Sequence, residues 1–145
     1  MLRLALFSIL GPEIAEGAFC DLYAGTGSMA VEALSRGAPR ATAVENHHVP
    51  LACLRRTAES ISLPELEIVK LDASKFRRPG AFHVVFADPP FSAIPDDLLE
   101  KCLDLAERGG WAVLQWPSDR PGVWPEGIEV RRYGASSLVI ARKGV

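Results

Sequence analysis

The feature that most constrains this chain is an alternation of period. Short apolar runs that read as strands buried on both faces are separated by segments with helical spacing, the pattern of a parallel sheet covered by helices. Residues 18–24 read as a first strand, 28–36 as a helix closed by Gly37, and 41–45 as a second strand. A helix follows from about Pro50, a good first-turn residue, with Leu51, Leu54, Ala58 and Ile61 along one stripe. Residues 66–71 and 82–87 read as the third and fourth strands. Pro95 is expected to open a helix with Asp96 and Asp97 in its first turn, where carboxylates favour the dipole. Leu98, Leu99, Cys102, Leu103 and Ala106 form its apolar face, Gly109-Gly110 its end, and residues 111–115 a fifth strand. The tail changes character: 127–132 and 138–141 read as strands around Tyr133 to Ser137, with no helix between them. They are expected to pair as an antiparallel hairpin.

No repeat, low-complexity tract or linker divides the chain, so 1–145 is expected to be one α/β domain, long enough to close a single core. At the front, Leu4, Phe7 and Leu10 recur at helical spacing with Gly11-Pro12 as a stop, which reads as a short amphipathic helix. A secretory signal is disfavoured because Glu13 and Glu16 stand where a small-residue cleavage site belongs. No run reaches the ~20 apolar residues of a membrane span, so a cytoplasmic protein without a membrane partner is expected. Hydrophobic residues at 48% exclude a disordered chain, and the net charge of −2 carries no basic footprint in bulk. Cys20, Cys53 and Cys102 are far apart, with no CxxC and no neighbouring histidine. Neither a disulfide framework nor a metal site is expected, and all three read as buried small hydrophobes.

Chemistry gathers where strands end. Asp21-Leu22-Tyr23-Ala24-Gly25-Thr26-Gly27-Ser28 joins the first strand to the first helix. Glycines there let the backbone turn sharply and approach a ligand at the carboxyl edge, where open α/β sheets bind cofactors. Gly25-x-Gly27-x-x-Ala30 also satisfies the dinucleotide fingerprint, so NAD is a rival ligand. Glu45, ending the second strand, suits ribose hydroxyls in either reading. Two carboxylates tilt the choice. Asp21 lies below the loop, unwelcome to a pyrophosphate but suited to a cationic sulfonium amino acid. Asp72-Ala73 ends the third strand, where a carboxylate could meet an adenine amino group; the bland alternative for Glu45 or Asp72 alone is a helix cap or solvated strand end.

Asp88-Pro89-Pro90-Phe91 follows the fourth strand on the same edge. A plain turn would explain the aspartate and a proline but not the full set. An exocyclic amine on a base is a poor nucleophile because its lone pair is delocalised into the ring. Asp88 can accept one amino hydrogen and the Pro89 carbonyl the other, which draws the nitrogen toward tetrahedral geometry. The prolines fix φ and hold the acceptors rigidly, and Phe91 offers a face on which a base stacks.

These residues resemble one family, the RsmD-type 16S ribosomal RNA guanine-N2 methyltransferases. The resemblance runs through Arg3-x-x-Leu6-Phe7-x-x-Leu10, the Asp21 to Ser28 loop, Glu32-Ala33-Leu34-Ser-Arg-Gly37-Ala38 and Val44-Glu45. It continues through Asp72-Ala73, Phe86-Ala87-Asp88-Pro-Pro-Phe91 and Arg132-Tyr133-Gly134. It implies a Rossmann-like class I methyltransferase sheet, mostly parallel with a reversed last strand. It also implies S-adenosylmethionine (AdoMet) as cofactor, S-adenosylhomocysteine as product, and 16S rRNA or an assembling small subunit as partner of a monomer. Cofactor contacts are implied at Asp21, Tyr23, Ala24, Gly25, Thr26, Gly27, Glu45, Asn46, Asp72 and Ala73, and catalysis at Asp88, Pro89, Pro90 and Phe91. The family carries a basic arm ahead of the Arg-x-x-Leu-Phe helix, whereas here that helix opens at Met1. An adenine-N6 methyltransferase and an AdoMet-binding module without activity remain the alternatives. Arg55-Arg56, Lys75 with Arg77-Arg78, and Arg131-Arg132 read as solvated faces that could touch phosphate. Trp116 reads as a packed aromatic near the base pocket, and His47-His48 as a surface loop beside the adenosine.

Overall fold

The structure, a computed structural model, describes the backbone of residues 2–144 and the side chains of residues 4–144. The Arg3 side chain of the resemblance motif lies outside the described residues. One seven-stranded sheet has the order β3-β2-β1-β4-β5-β7-β6. Strands β1 (Phe19–Leu22), β2 (Ala41–Glu45), β3 (Leu66–Lys70), β4 (Phe82–Ala87) and β5 (Ala106–Pro117) are parallel to one another. Strand β7 (Ser136–Arg142) runs antiparallel between β5 and β6 (Glu129–Tyr133). The expected hairpin and reversed last strand are therefore present.

Helices α1 (Leu2–Leu10), α2 (Ser28–Ser35) and α3 (His48–Ile61) contribute to one face, and α4 (Leu98–Leu105) to the other. Strand alternation divides the core between them. Along β4, Val84 and Phe86 belong to one core with Leu6, Phe7, Leu10, Met29 and Leu54, while Val85 and Ala87 share the second core with Leu98, Leu99, Cys102 and Leu105. Both β1 and β4 are buried along their whole length, which is why they read as largely apolar runs, interrupted only by Asp21 and His83. Edge strand β3 is only half-buried. No helix among the described residues is long and apolar enough to cross a membrane.

Several expectations need correction. Leu4 is 53% exposed, and the buried stripe of α1 is Leu6, Phe7 and Leu10, prolonged by Ile14. Gly11-Pro12 does end α1, at Leu10, and a 3-10 turn, Gly11–Glu16, follows directly. Helix α3 begins at His48, and its apolar stripe ends early. Leu51 and Leu54 are buried, Ala58 is partly exposed and Ile61 half-exposed, because edge strand β3 leaves the last turn without a covering layer. Pro95-Asp96-Asp97 form the approach to α4, not its first turn; α4 begins at Leu98.

The Gly109-Gly110 pair is the instructive error. Helix α4 ends at Leu105, and Ala106 already belongs to β5. The glycines lie inside β5 at a bulge, where the register jumps from Phe82↔Ala106 to Val84↔Trp111. Gly109 has φ +79°, and a Cβ on Gly110 would lie 2.7 Å from the His83 carbonyl oxygen. A bulge and a helix end ask for the same residue, so the glycines alone could not distinguish them. Strand β5 consequently runs well beyond the expected 111–115, and β6 starts at Glu129, not 127. Cys20 and Cys102 are buried, whereas Cys53 is partly exposed. Burial pushes the Cys102 thiol up to about 12 and raises Cys20 as well, so neither is poised as a nucleophile.

Candidate active site

The carboxyl ends of β1, β2, β3 and β4 share one edge of the sheet, and the residues singled out from sequence follow those strand ends. After β1 the chain turns at once. Tyr23 holds φ +66° although it is not a glycine, and the Ala24 N–H donates to the Val44 carbonyl at 2.9 Å. Gly27, the N-cap of α2, has φ +79°, and a Cβ there would lie 2.1 Å from Leu54 Cδ1. Glycine is what lets α2 start this close to α3. Gly25 differs: a Cβ would meet nothing within 4 Å, so its backbone faces open space. Thr26 is exposed, and Ala24 partly so.

Asp21 is 1% exposed, and its Oδ2 accepts the Ala30 N–H at 3.2 Å. Ala30 is the third residue of α2, whose N-cap glycine has no side chain to satisfy that donor. The carboxylate on β1 therefore caps the helix that follows the loop, and the helix dipole favours it there.

Glu45 is 7% exposed and binds the loop from the neighbouring strand. Its Oε1 accepts the Gly25 N–H at 2.7 Å; Oε2 accepts the N–H groups of Asn46 at 2.9 Å and His47 at 2.7 Å, and meets the His47 ring Nδ1 at 2.9 Å. Burial works to raise its pKa, but the His47 backbone and ring and the Gly25 and Asn46 N–H groups outweigh it. The carboxylate stays below its ordinary value and is ionised at neutral pH. A carboxylate oxygen has two lone-pair directions, so Oε1 keeps one for a further donor beside the loop. His47 and His48 are exposed, and His47 is committed to Glu45.

Asp72 caps the 3-10 turn Ala73–Lys75: Oδ1 accepts the Ser74 N–H at 2.9 Å and the Ser74 hydroxyl at 2.8 Å. Those two bonds hold its pKa below the ordinary value. The capping alternative is thus what Oδ1 does, while Oδ2 has no partner among the described residues. Ala73 is buried beneath it.

The fourth group follows β4. Asp88 is exposed, Pro89 buried, Pro90 exposed and Phe91 42% exposed, an unusual position for a large hydrophobic ring. The Asp88 N–H reaches toward the Leu22 carbonyl at 3.5 Å, which places the start of the tetrapeptide beside the end of β1. A 3-10 turn, Phe91–Ala93, closes with the Ala93 N–H donating to the Pro90 carbonyl at 2.9 Å. The turn uses the carbonyl of Pro90, not that of Pro89.

The remaining basic residues divide sharply. Arg78 is bound bidentately by Glu67 at 2.6 and 2.7 Å and Arg131 by Glu129, while Arg55 and Arg56 are solvated on α3. Trp116 is a packed aromatic against Trp124. Sequence reasoning missed Trp124 and Arg120, which sit in an irregular Pro/Gly-rich stretch with no period to read. It also missed a partly buried cluster at the opposite end of β4, where His83 bridges Glu13 and Glu107. The only sequence signal there was a histidine inside an apolar strand. Among the described residues no group of three His, Cys, Asp or Glu is arranged to hold a metal.

A sheet of this order with a reversed last strand, a glycine loop after β1 and acidic residues ending β2 and following β3 is the class I methyltransferase fold. The chain superposes on an RNA methyltransferase of Salinibacter ruber solved with S-adenosyl-L-homocysteine, with TM-score 0.77 over 99% of this chain and 90% of that one; at 13% identity the likeness is one of fold. A hypothetical protein of a Thermus species, 29% identical, superposes with TM-score 0.78 over 99% and 85% of the two chains. Residues 1–116 match the family described as Conserved hypothetical protein 95. Over 111 residues the chain is 34% identical to ribosomal RNA small subunit methyltransferase D of Escherichia coli, covering 75% of this chain and 54% of that protein. The chain belongs to this family, as the resemblance implied, and the match spans about half the length of that relative.

Proposed function

We propose that residues 1–145 act as one methyltransferase domain in the cytoplasm, using AdoMet to methylate the exocyclic N2 amine of a guanine in small-subunit (16S) rRNA, free or in an assembling subunit. The observation that carries this reading is the position of Asp88-Pro89-Pro90-Phe91, beginning beside the end of β1 on the edge that holds the glycine loop. The ribosomal target is supported by the Escherichia coli relative named above.

The residues present fit AdoMet. The Gly25 backbone faces open space, Glu45 keeps an acceptor site on Oε1 for a ribose hydroxyl, and Asp72 Oδ2 stands at the next strand end for an amino group. When bound, AdoMet supplies a methyl group on a positively charged sulfur. The chain supplies position and electrostatics. Asp88 accepts one hydrogen of the target amine and the Pro89 carbonyl the second, while the exposed Phe91 ring covers one face of the base. With both hydrogens held, the nitrogen lone pair points away from Asp88 and Pro89 toward the donor. As the nitrogen took the methyl carbon, the carbon–sulfur bond would break and leave a neutral thioether; the methylated nitrogen becomes acidic, and its proton would leave along the hydrogen bond to Asp88. No stronger base is needed.

Asp88→Ala tests this assignment. Removing one of two acceptors from an electrostatic site costs on the order of 100- to 1,000-fold in turnover. AdoMet affinity, measured by calorimetry, should remain within about twofold. Loss of AdoMet binding, or retained turnover, would take Asp88 out of the amine site.

A further inference from the structure

Three arginines are consumed by carboxylates: Arg36 by Glu32, Arg78 by Glu67 and Arg131 by Glu129. Arg120 and Arg132 instead contact uncharged groups. The Arg120 guanidinium lies over the Trp116 ring, 5.4 Å from its centroid, and the Arg120 carbonyl accepts the Trp116 Nε1–H at 3.1 Å. Trp124 packs edge-on against Trp116, with centroids 4.8 Å apart at 79°, and a Cβ on Gly122 would lie 2.5 Å from the Trp124 ring. The loop 118–128 is thus closed tightly around the residue beneath Arg120. Arg132 donates through Nε to the Gly134 carbonyl at 3.3 Å. Neither guanidinium has a carboxylate partner among the described residues.

Strand register brings the two together. Ser137 of β7 is paired with Trp116 of β5 on one side and Arg132 of β6 on the other. Directly opposed residues share a sheet face, so Trp116, Ser137 and Arg132 form one row across three strands, ~10 Å wide. Ser118 fastens the loop to this row: its N–H donates to the Ala135 carbonyl at 2.9 Å and its hydroxyl meets that of Ser137 at 2.8 Å. Arg131 and its partner Glu129 alternate onto the other face of β6. The row also adjoins the amine site. Leu114 is paired with Ala87, so Trp116 stands one strand over from Asp88-Pro89.

A guanidinium set on uncharged groups, with no carboxylate partner among the described residues and beside the place where a base must enter, is arranged for an anion that arrives with that base. We propose that Arg120 and Arg132 receive phosphates of the RNA strand carrying the target guanine. This rests on the RNA reading above, and it assigns that strand's path to the β5–β6 loop and the β6–β7 hairpin.

The test is anisotropy of a labelled single-stranded RNA oligonucleotide against salt, for the parent, R120Q, R132Q, the double variant, R120K and R131Q. Removing one phosphate-binding charge should lower the slope of log affinity on log salt by about 0.7, so the double variant should show a slope lower by about 1.4. R120K and R131Q should keep the parent slope, and AdoMet affinity should be unchanged throughout. Should R120Q melt at a lower temperature, R132Q and the charge-preserving R120K carry the comparison. A double variant with the parent slope overturns the proposal, as does an R131Q whose slope falls as far as that of R120Q. A parent chain that binds AdoMet but no RNA overturns the RNA reading, and this inference with it.

Discussion

Replacing His83 with leucine asks whether the front of the chain is held to the sheet by charge or by packing. The imidazole is almost enclosed, with 10% of its side chain exposed. Nε2 lies 2.8 Å from Glu13 Oε1, on the 3-10 turn, and Nδ1 lies 2.8 Å from Glu107 Oε2, on β5. Trp111 Nε1–H donates to the same Glu13 oxygen at 3.0 Å, and the Arg142 guanidinium covers the Trp111 ring at 4.9 Å. Burial opposes a charged imidazole, but the bonds to Glu13 and Glu107 outweigh it and hold the His83 pKa above its ordinary 6.5. A bond between charged partners is worth roughly 1.5–3 kcal/mol. The glutamates are 32% and 45% exposed, so solvent screening brings each to about 1 kcal/mol. The clamp is therefore worth about 2 kcal/mol when His83 is protonated, or roughly 6 °C in Tm for a chain of this size.

The pH dependence separates charge from packing. A neutral imidazole has one N–H and can serve only one glutamate. Because the folded pKa is raised, this stability is fully present below 6.5 and is lost as pH rises through the folded value. Glu13 works in the opposite direction: the His83 bond, then Trp111, lowers its pKa, so its share is present above its ordinary 4.5 and fades in acid. The Tm difference between the parent and His83→Leu, measured by calorimetry, should be largest between those values and should shrink toward pH 9. An equal difference at pH 6 and pH 9 would refute the charge argument.

Gly27→Ala should cost about 2–3 kcal/mol in denaturant unfolding, because it combines φ +79° with a contact at 2.1 Å to Leu54. A loss below 1 kcal/mol would mean that α2 can shift at little cost. Glu45→Ala should weaken AdoMet binding at least about tenfold by calorimetry, since one carboxylate anchors Gly25, Asn46 and His47. Unchanged affinity would remove Glu45 from the cofactor site.

Much of the fold was legible because its central strands carry their burial in their composition. Residues 41–45 and 82–87 were bounded correctly since strands covered on both faces are mostly apolar, with few polar interruptions. Strand β5 was cut short because Gly109-Gly110 serve a bulge. The places of the site residues were legible from strand ends, but their partners were not. That Asp21 caps α2 and Glu45 binds the Gly25 N–H depends on which helix and loop lie above each carboxylate, a matter of tertiary packing that no local spacing encodes. The same holds for Arg131 and Arg132. They are adjacent in sequence, but alternation across β6 gives one a glutamate and leaves the other facing Ser137.

The central claim is methylation of guanine N2 in 16S rRNA by a site built on Asp88. Its most direct test incubates the purified chain with labelled AdoMet and unmethylated small subunits, followed by nucleoside mass spectrometry of the 16S rRNA. The account expects N2-methylguanosine with the parent chain and none with Asp88→Ala. N6-methyladenosine instead, or no incorporation by a chain that binds AdoMet, would contradict it.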